Sequence, residues 1–224
     1  MREAYQSDLR HIVDDLLDMA DLVGRALEEA TQALLEGDLA LAERVIAADP
    51  HIDRRQIDLD SKAVELLARQ APVATDLRLL VASLRMSSSL ERMGDLCAHV
   101  ALVARRTHPE PAVPEQHRAQ IARMSELGGI ALRDAARVIA ERDLALAAQV
   151  EKDDAELDDL MLEVSREIAR GDGYTNAQIV DLTLLIRFYE RLGDHAVSLV
   201  RRVGFLVTGD SLDAYHDGVD VPEF

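Results

Sequence analysis

The sequence predicts an all-α protein made of two tandem three-helix bundles, an internal duplication with six long helices. Three observations carry that prediction. Apolar residues recur every three or four positions over long stretches, extended strand-like alternation is absent, and the pattern of the first half returns in the second.

In the first stretch Leu9, Ile12, Leu16, Met19, Val23, Leu27, Ala30 and Leu34 form a single stripe. That spacing predicts an amphipathic helix of about 35 residues, roughly 50 Å long, ending at Gly37. Asp38 is placed to cap a second helix with the stripe Leu41, Val45, Ala48, Ile52, Leu59, Ala63 and Leu66. Pro50 is expected to interrupt and kink this helix near Asp49, because proline removes a backbone donor. A third helix opens at Pro72 and runs to about Arg106. The segment 108–114, with Pro109, Pro111 and Pro114, reads as a stiff connector between repeats 1–107 and 115–208. Helices are then expected over Glu115 to Arg142, Asp143 to Arg170 and Thr175 to Thr208. The last carries a capping box at Thr175 and Gln178, and a short acidic tail, 209–224, follows.

The duplication is visible residue by residue. Asp38-Leu-Ala-Leu-Ala42 returns as Asp143-Leu-Ala-Leu-Ala147 at an offset of 105, and Glu91-Arg-Met-Gly-Asp95 returns as Glu190-Arg-Leu-Gly-Asp194 at an offset of 99. The shorter offset reflects a tighter turn before the last helix.

Composition narrows the function classes. Of 224 residues 48% are apolar and 30% charged, which places the chain among folded globular proteins. A formal charge of -17 opposes direct binding to nucleic acid or an anionic leaflet. Apolar runs such as Val100 to Ala104 fall far short of the roughly 20 residues of a membrane span. The N-terminal residues lack the apolar core of a signal peptide, so a cytoplasmic protein is expected. The single cysteine, Cys97, leaves no partner for an intramolecular disulfide and reads as a small buried hydrophobe. No phosphate loop, nucleophile elbow or H-E-x-x-H helix is present, so no enzyme activity is expected.

The residues that stand out are carboxylates in apolar seams. Glu91 and Asp95 share one face of the third helix with Leu84, Ala98 and Leu102, and Glu190 and Asp194 repeat the arrangement in the sixth. The second and fifth helices supply Asp49 with Asp53 and Asp154 with Asp158. Like charges one turn apart repel, and more strongly where water is excluded. Eight hard oxygen donors on facing helices suit Mg, Mn or Fe, and Zn with less preference. The alternative is that the glutamates pair with arginines while the aspartates face water. His195 and His99, next to or one turn beyond the aspartates, are further candidates, although the offset pairs them with Leu96 and Ser198.

Pro72-Val-Ala-Thr-Asp-Leu-Arg78, Glu91-Arg-Met-Gly-Asp95 and Glu190-Arg-Leu-Gly-Asp-His-Ala196, together with the paired aspartates, make the chain resemble the PhoU family over nearly its whole length. The resemblance implies two similar three-helix bundles, frequently a homodimer, with acidic motifs that hold multinuclear divalent or ferric clusters. It also implies signal transduction in phosphate homeostasis. PhoU-like proteins sit between the Pst phosphate transporter ATPase and a PhoR-type sensor histidine kinase, acting as negative regulators of the Pho response and of uptake. At -17, any proximity to the membrane is expected to come through these protein partners. The rival reading is a carboxylate-bridged, ferritin-like protein. Such sites use Glu-x-x-His, and none of the seven histidines has a glutamate three residues before it.

Overall fold

The computed structural model describes residues 2–171 and 173–210. The tail expected over 209–224 therefore falls, beyond Asp210, outside the described residues. Six long helices follow one another, with no strand among the described residues: α1 Arg2–Glu36, α2 Leu39–Gln70, α3 Ala74–Thr107, α4 Arg118–Glu141, α5 Leu144–Ala169 and α6 Asn176–Thr208.

Helix ends follow local chemistry. The Asp38 carboxylate accepts from the Leu41 amide at 2.9 Å, and Asp143 accepts from the Ala145 and Leu146 amides at 2.9 and 3.1 Å. Thr175 and Gln178 complete the expected capping box, and Gly209 closes α6 in the left-handed region at φ 79°. Two boundaries differ from expectation: α3 begins at Ala74, two residues after Pro72, and one 3-10 turn, Glu115–His117, precedes α4. Pro50 does not interrupt α2, which runs unbroken through it. The proline is exposed and forgoes one backbone bond, and the buried Val45 and Ile52 hold the helix on either side of it.

Each repeat packs as a bundle, α1 with α2 and α3, and α4 with α5 and α6, while α3 against α6 and α1 against α4 join the two. Four helices thus form the centre, with α2 and α5 outside, each lying on its own pair. The predicted α1 stripe from Leu9 to Leu34 is buried throughout. On α2 all of the predicted stripe is buried except Ala48, which stays exposed. Across the junction Thr31 of α1 bonds the Tyr189 hydroxyl of α6 at 2.8 Å and Ser125 of α4 at 2.9 Å. Cys97 is fully buried, and that burial pushes its thiol up, as a packed hydrophobe requires.

Candidate metal centres

The outer helices bring their aspartates to the central ones. In the first repeat Asp49 and Asp53, one turn apart on α2, meet Asp95 of α3, each offering an oxygen within 4.8 Å of the others. Glu91 lies one turn before Asp95, close enough that Asp95, Asp53 and Asp49 all oppose its ionisation, after burial itself. Burial, then Asp53 and Asp95, raises Asp49, with His99 opposing. Asp49 Oδ1 is buried with no donor.

In the second repeat Asp154 of α5 is raised to about 7 by burial, then by Asp158, Asp194 and Glu190, with Arg201 opposing. Glu190, buried on α6, is also raised to about 7, by burial and then Asp194, against the pull of Arg187. Asp158 is raised by its partial burial, then by Asp194 and Asp159. Asp154 Oδ1 and Glu190 Oε2 are both buried without a donor. Unsatisfied acceptors beside like charges in both repeats are what a cation would relieve, and all-oxygen donor sets fit hard cations.

Arginine supplies part of that charge already, as the alternative reading expects. Arg92 lies 3.4 Å from Glu91 and 2.8 Å from Asp95, and Arg187 pairs with Glu190. Among the described residues these contacts leave Asp49, Asp53, Asp154 and Asp158 without an arginine within 4 Å. The first repeat gathers three carboxylates most closely, whereas in the second Glu190 is turned to Arg187. The His99 ring packs tilted against the Phe188 ring, with centroids 5.3 Å apart, and His195 is half-buried and lowered by burial and then by Arg191.

Two glycines, named in the sequence only as motif letters, make room for this arrangement. A Cβ on Gly193 would come within 2.4 Å of Asp154 Oδ1, and one on Gly94 within 2.9 Å of Ile52 Cδ1 and 3.6 Å of Asp49 Oδ1. Glycine in the middle of a long helix, in the same place in both repeats, was the signal.

Comparison with known proteins decides the family. A family model described as the PhoU domain matches residues 16–104 and again 121–203. The chain belongs to the PhoU family. Among PhoU relatives, it is 42% identical over 214 residues to a Mycobacterium tuberculosis protein named phosphate-specific transport system accessory protein PhoU homolog 2, covering 93% of this chain and 99% of that one. It is 44% identical over 218 residues to a Mycobacterium leprae PhoU homolog 1, covering 93% and 95%. The crystal structure of PhoU from Pseudomonas aeruginosa superposes with a TM-score of 0.85 at 27% identity, covering 92% of this chain and all of that one. The all-α duplicated fold read from the sequence is that of the PhoU structures.

Proposed function

We propose that the chain is an accessory protein of a phosphate-specific transport system. It restrains phosphate uptake and keeps the phosphate-starvation response off by linking the transporter ATPase to a sensor histidine kinase. The observation that carries this reading is the similarity, over 93% of the chain and at 42–44% identity, to proteins named phosphate-specific transport system accessory protein. The physical features are compatible with it. Long helices present continuous docking faces, and no helix among the described residues is long and apolar enough to cross a membrane. Contact with a membrane transporter is therefore made through protein, and a homodimer would present each docking face twice.

In this reading Asp49, Asp53, Glu91 and Asp95 hold cations across α2 and α3, and Asp154, Asp158, Glu190 and Asp194 hold them across α5 and α6. Bound iron, zinc, manganese or magnesium would supply positive charge that locks each outer helix to its central partner. The role of this chain's residues is to hold and shield that charge: Gly94 and Gly193 admit the carboxylates, and Arg92 and Arg187 balance the glutamates.

The test is crosslinking and affinity recovery from phosphate-replete cells. The account expects the transporter ATPase or a sensor kinase to be recovered with the chain. Recovery of neither, under conditions that preserve a known weak complex, would overturn it.

A further inference from the structure

Helices α3 and α6 cross the centre antiparallel. Arg78 Nε donates to the Leu206 carbonyl at 3.3 Å, the His99 ring lies on Phe188, and Arg106 pairs with the buried Asp181. With the repeat offset of 99, this seam contains two equivalent spaces. One is filled by the His99 and Phe188 rings, their centroids 5.3 Å apart. The equivalent positions in the other are Ser198 and Ser89, side chains too small to fill it.

There a cleft of about 330 Å³ opens, lined by Arg85, Ser89 and Arg92 from α3 and by His195, Ser198 and Arg202 from α6. Among the described residues no carboxylate lines it, in a chain whose net charge is -17. The duplication does not require this: the positions equivalent to Arg85 and Arg202 are Leu184 and Val103. Among the described residues neither Arg85 nor Arg202 has a carboxylate within 4 Å. Arg202 spends one amino group on the Ser198 carbonyl of its own helix at 2.7 Å, while its buried Nε has no acceptor. Arg85 and Arg202 are close enough for Arg85 to oppose the charge on Arg202.

A half-buried guanidinium facing other cations is costly unless an anion completes it. Guanidinium forks donate in pairs to tetrahedral oxyanions, and serine hydroxyls add single donors that carry no charge. We propose that this cleft binds a phosphate-type oxyanion, either free or as the phosphoryl group of a small organic ester. The cleft adjoins the first carboxylate seam through Arg92, which pairs with Glu91 and Asp95, so the proposal rests on Arg85 and Arg202, which take no part in either seam.

The test is calorimetric titration of the full chain after dialysis against a chelator, which removes any cation that could itself capture phosphate. Inorganic phosphate and glycerol 3-phosphate are titrated separately against sodium chloride of matched ionic strength. Saturable binding of at least one phosphate compound and none of chloride is expected, weakened tenfold or more in Arg85→Gln or in Arg202→Lys. Arg85 is exposed, so its replacement preserves the fold, and Arg202→Lys keeps the charge while removing the fork. Tighter binding of the ester identifies an organic phosphate as the ligand, and equal or weaker binding identifies the free ion. No saturable binding of either, or affinities unchanged in both variants, would overturn the proposal.

Discussion

The buried Oδ1 of Asp154 on α5 lies against Gly193 of α6 so closely that a Cβ on Gly193 would come within 2.4 Å of it. A mid-helix glycine costs about 1 kcal/mol relative to alanine. That cost is accepted where the outer helix brings its carboxylate onto the backbone of the central one. The Gly94 and Asp49 pair in the first repeat is looser, with 3.6 Å between the same atoms.

Replacing Gly193 by alanine is therefore expected to gain helix propensity and lose more through displacement of Asp154 and the Leu157 methyl, which a Cβ would meet at 2.7 Å. The net expectation is a loss of about 1 kcal/mol, or about 3 °C in Tm for a chain of this size. Gly94→Ala meets mainly the end of the Ile52 side chain, which can rotate, and is expected to be nearer neutral. Thermal melts of both variants check the order.

Asp154 and Glu190 are both raised to about 7, so the folded chain binds protons that the unfolded chain has already released. Stability of the metal-free protein should fall as pH rises from about 4, the ordinary carboxylate range, to about 7, and then level off. Asp154→Asn should flatten that slope and raise Tm at pH 7.5 by about 3 °C, corresponding to roughly 1 kcal/mol. Melts in chelator from about pH 4 to about pH 8 measure both effects.

Much of this molecule was legible in its sequence because helices declare themselves through spacing. The α1 stripe, the caps at Asp38, Asp143 and Thr175, and the repeated pentads each follow from local chemistry that tertiary packing left intact. Pro50 misled as an interruption because a proline forgoes a single backbone bond, and burial of Val45 and Ile52 carries α2 past it. The pairing of α2 with α3 and of α5 with α6 brought the eight carboxylates to two seams, but spacing carries no information about distance between helices. Nothing in the sequence says that Arg187 would hold Glu190. The arginine cleft was invisible for the same reason, since Arg85 and Arg202 are 117 positions apart and meet only because α3 and α6 run antiparallel.

The two carboxylate sets should differ in affinity. An arginine competes in each set, Arg92 for Asp95 and Arg187 for Glu190, but three oxygens of Asp49, Asp53 and Asp95 already lie within 4.8 Å of one another, and among the described residues the second set forms no such trio. Titration of chelator-treated protein with Mn²⁺ should show a tighter and a weaker class of site. Asp53→Asn should weaken the tighter class tenfold or more, and Asp158→Asn the weaker one. Equal effects of both substitutions on both classes would remove the distinction.

The junction between repeats rests in part on the Tyr189 hydroxyl, which bonds Thr31 at 2.8 Å inside the core. Tyr189→Phe leaves Thr31 its contact with Ser125 and is expected to cost about 1 kcal/mol, again about 3 °C in Tm. Thr31→Val strips a partner from both hydroxyls and should cost more, which paired melts would show.

The central claim is that the two acidic seams hold cations, and elemental analysis of untagged protein purified without chelator tests it most directly. The account predicts stoichiometric iron, zinc or manganese in the wild-type chain, reduced to trace in a variant carrying Asp49→Asn, Asp95→Asn, Asp154→Asn and Glu190→Gln. A folded wild-type protein with no more metal than that variant would contradict it.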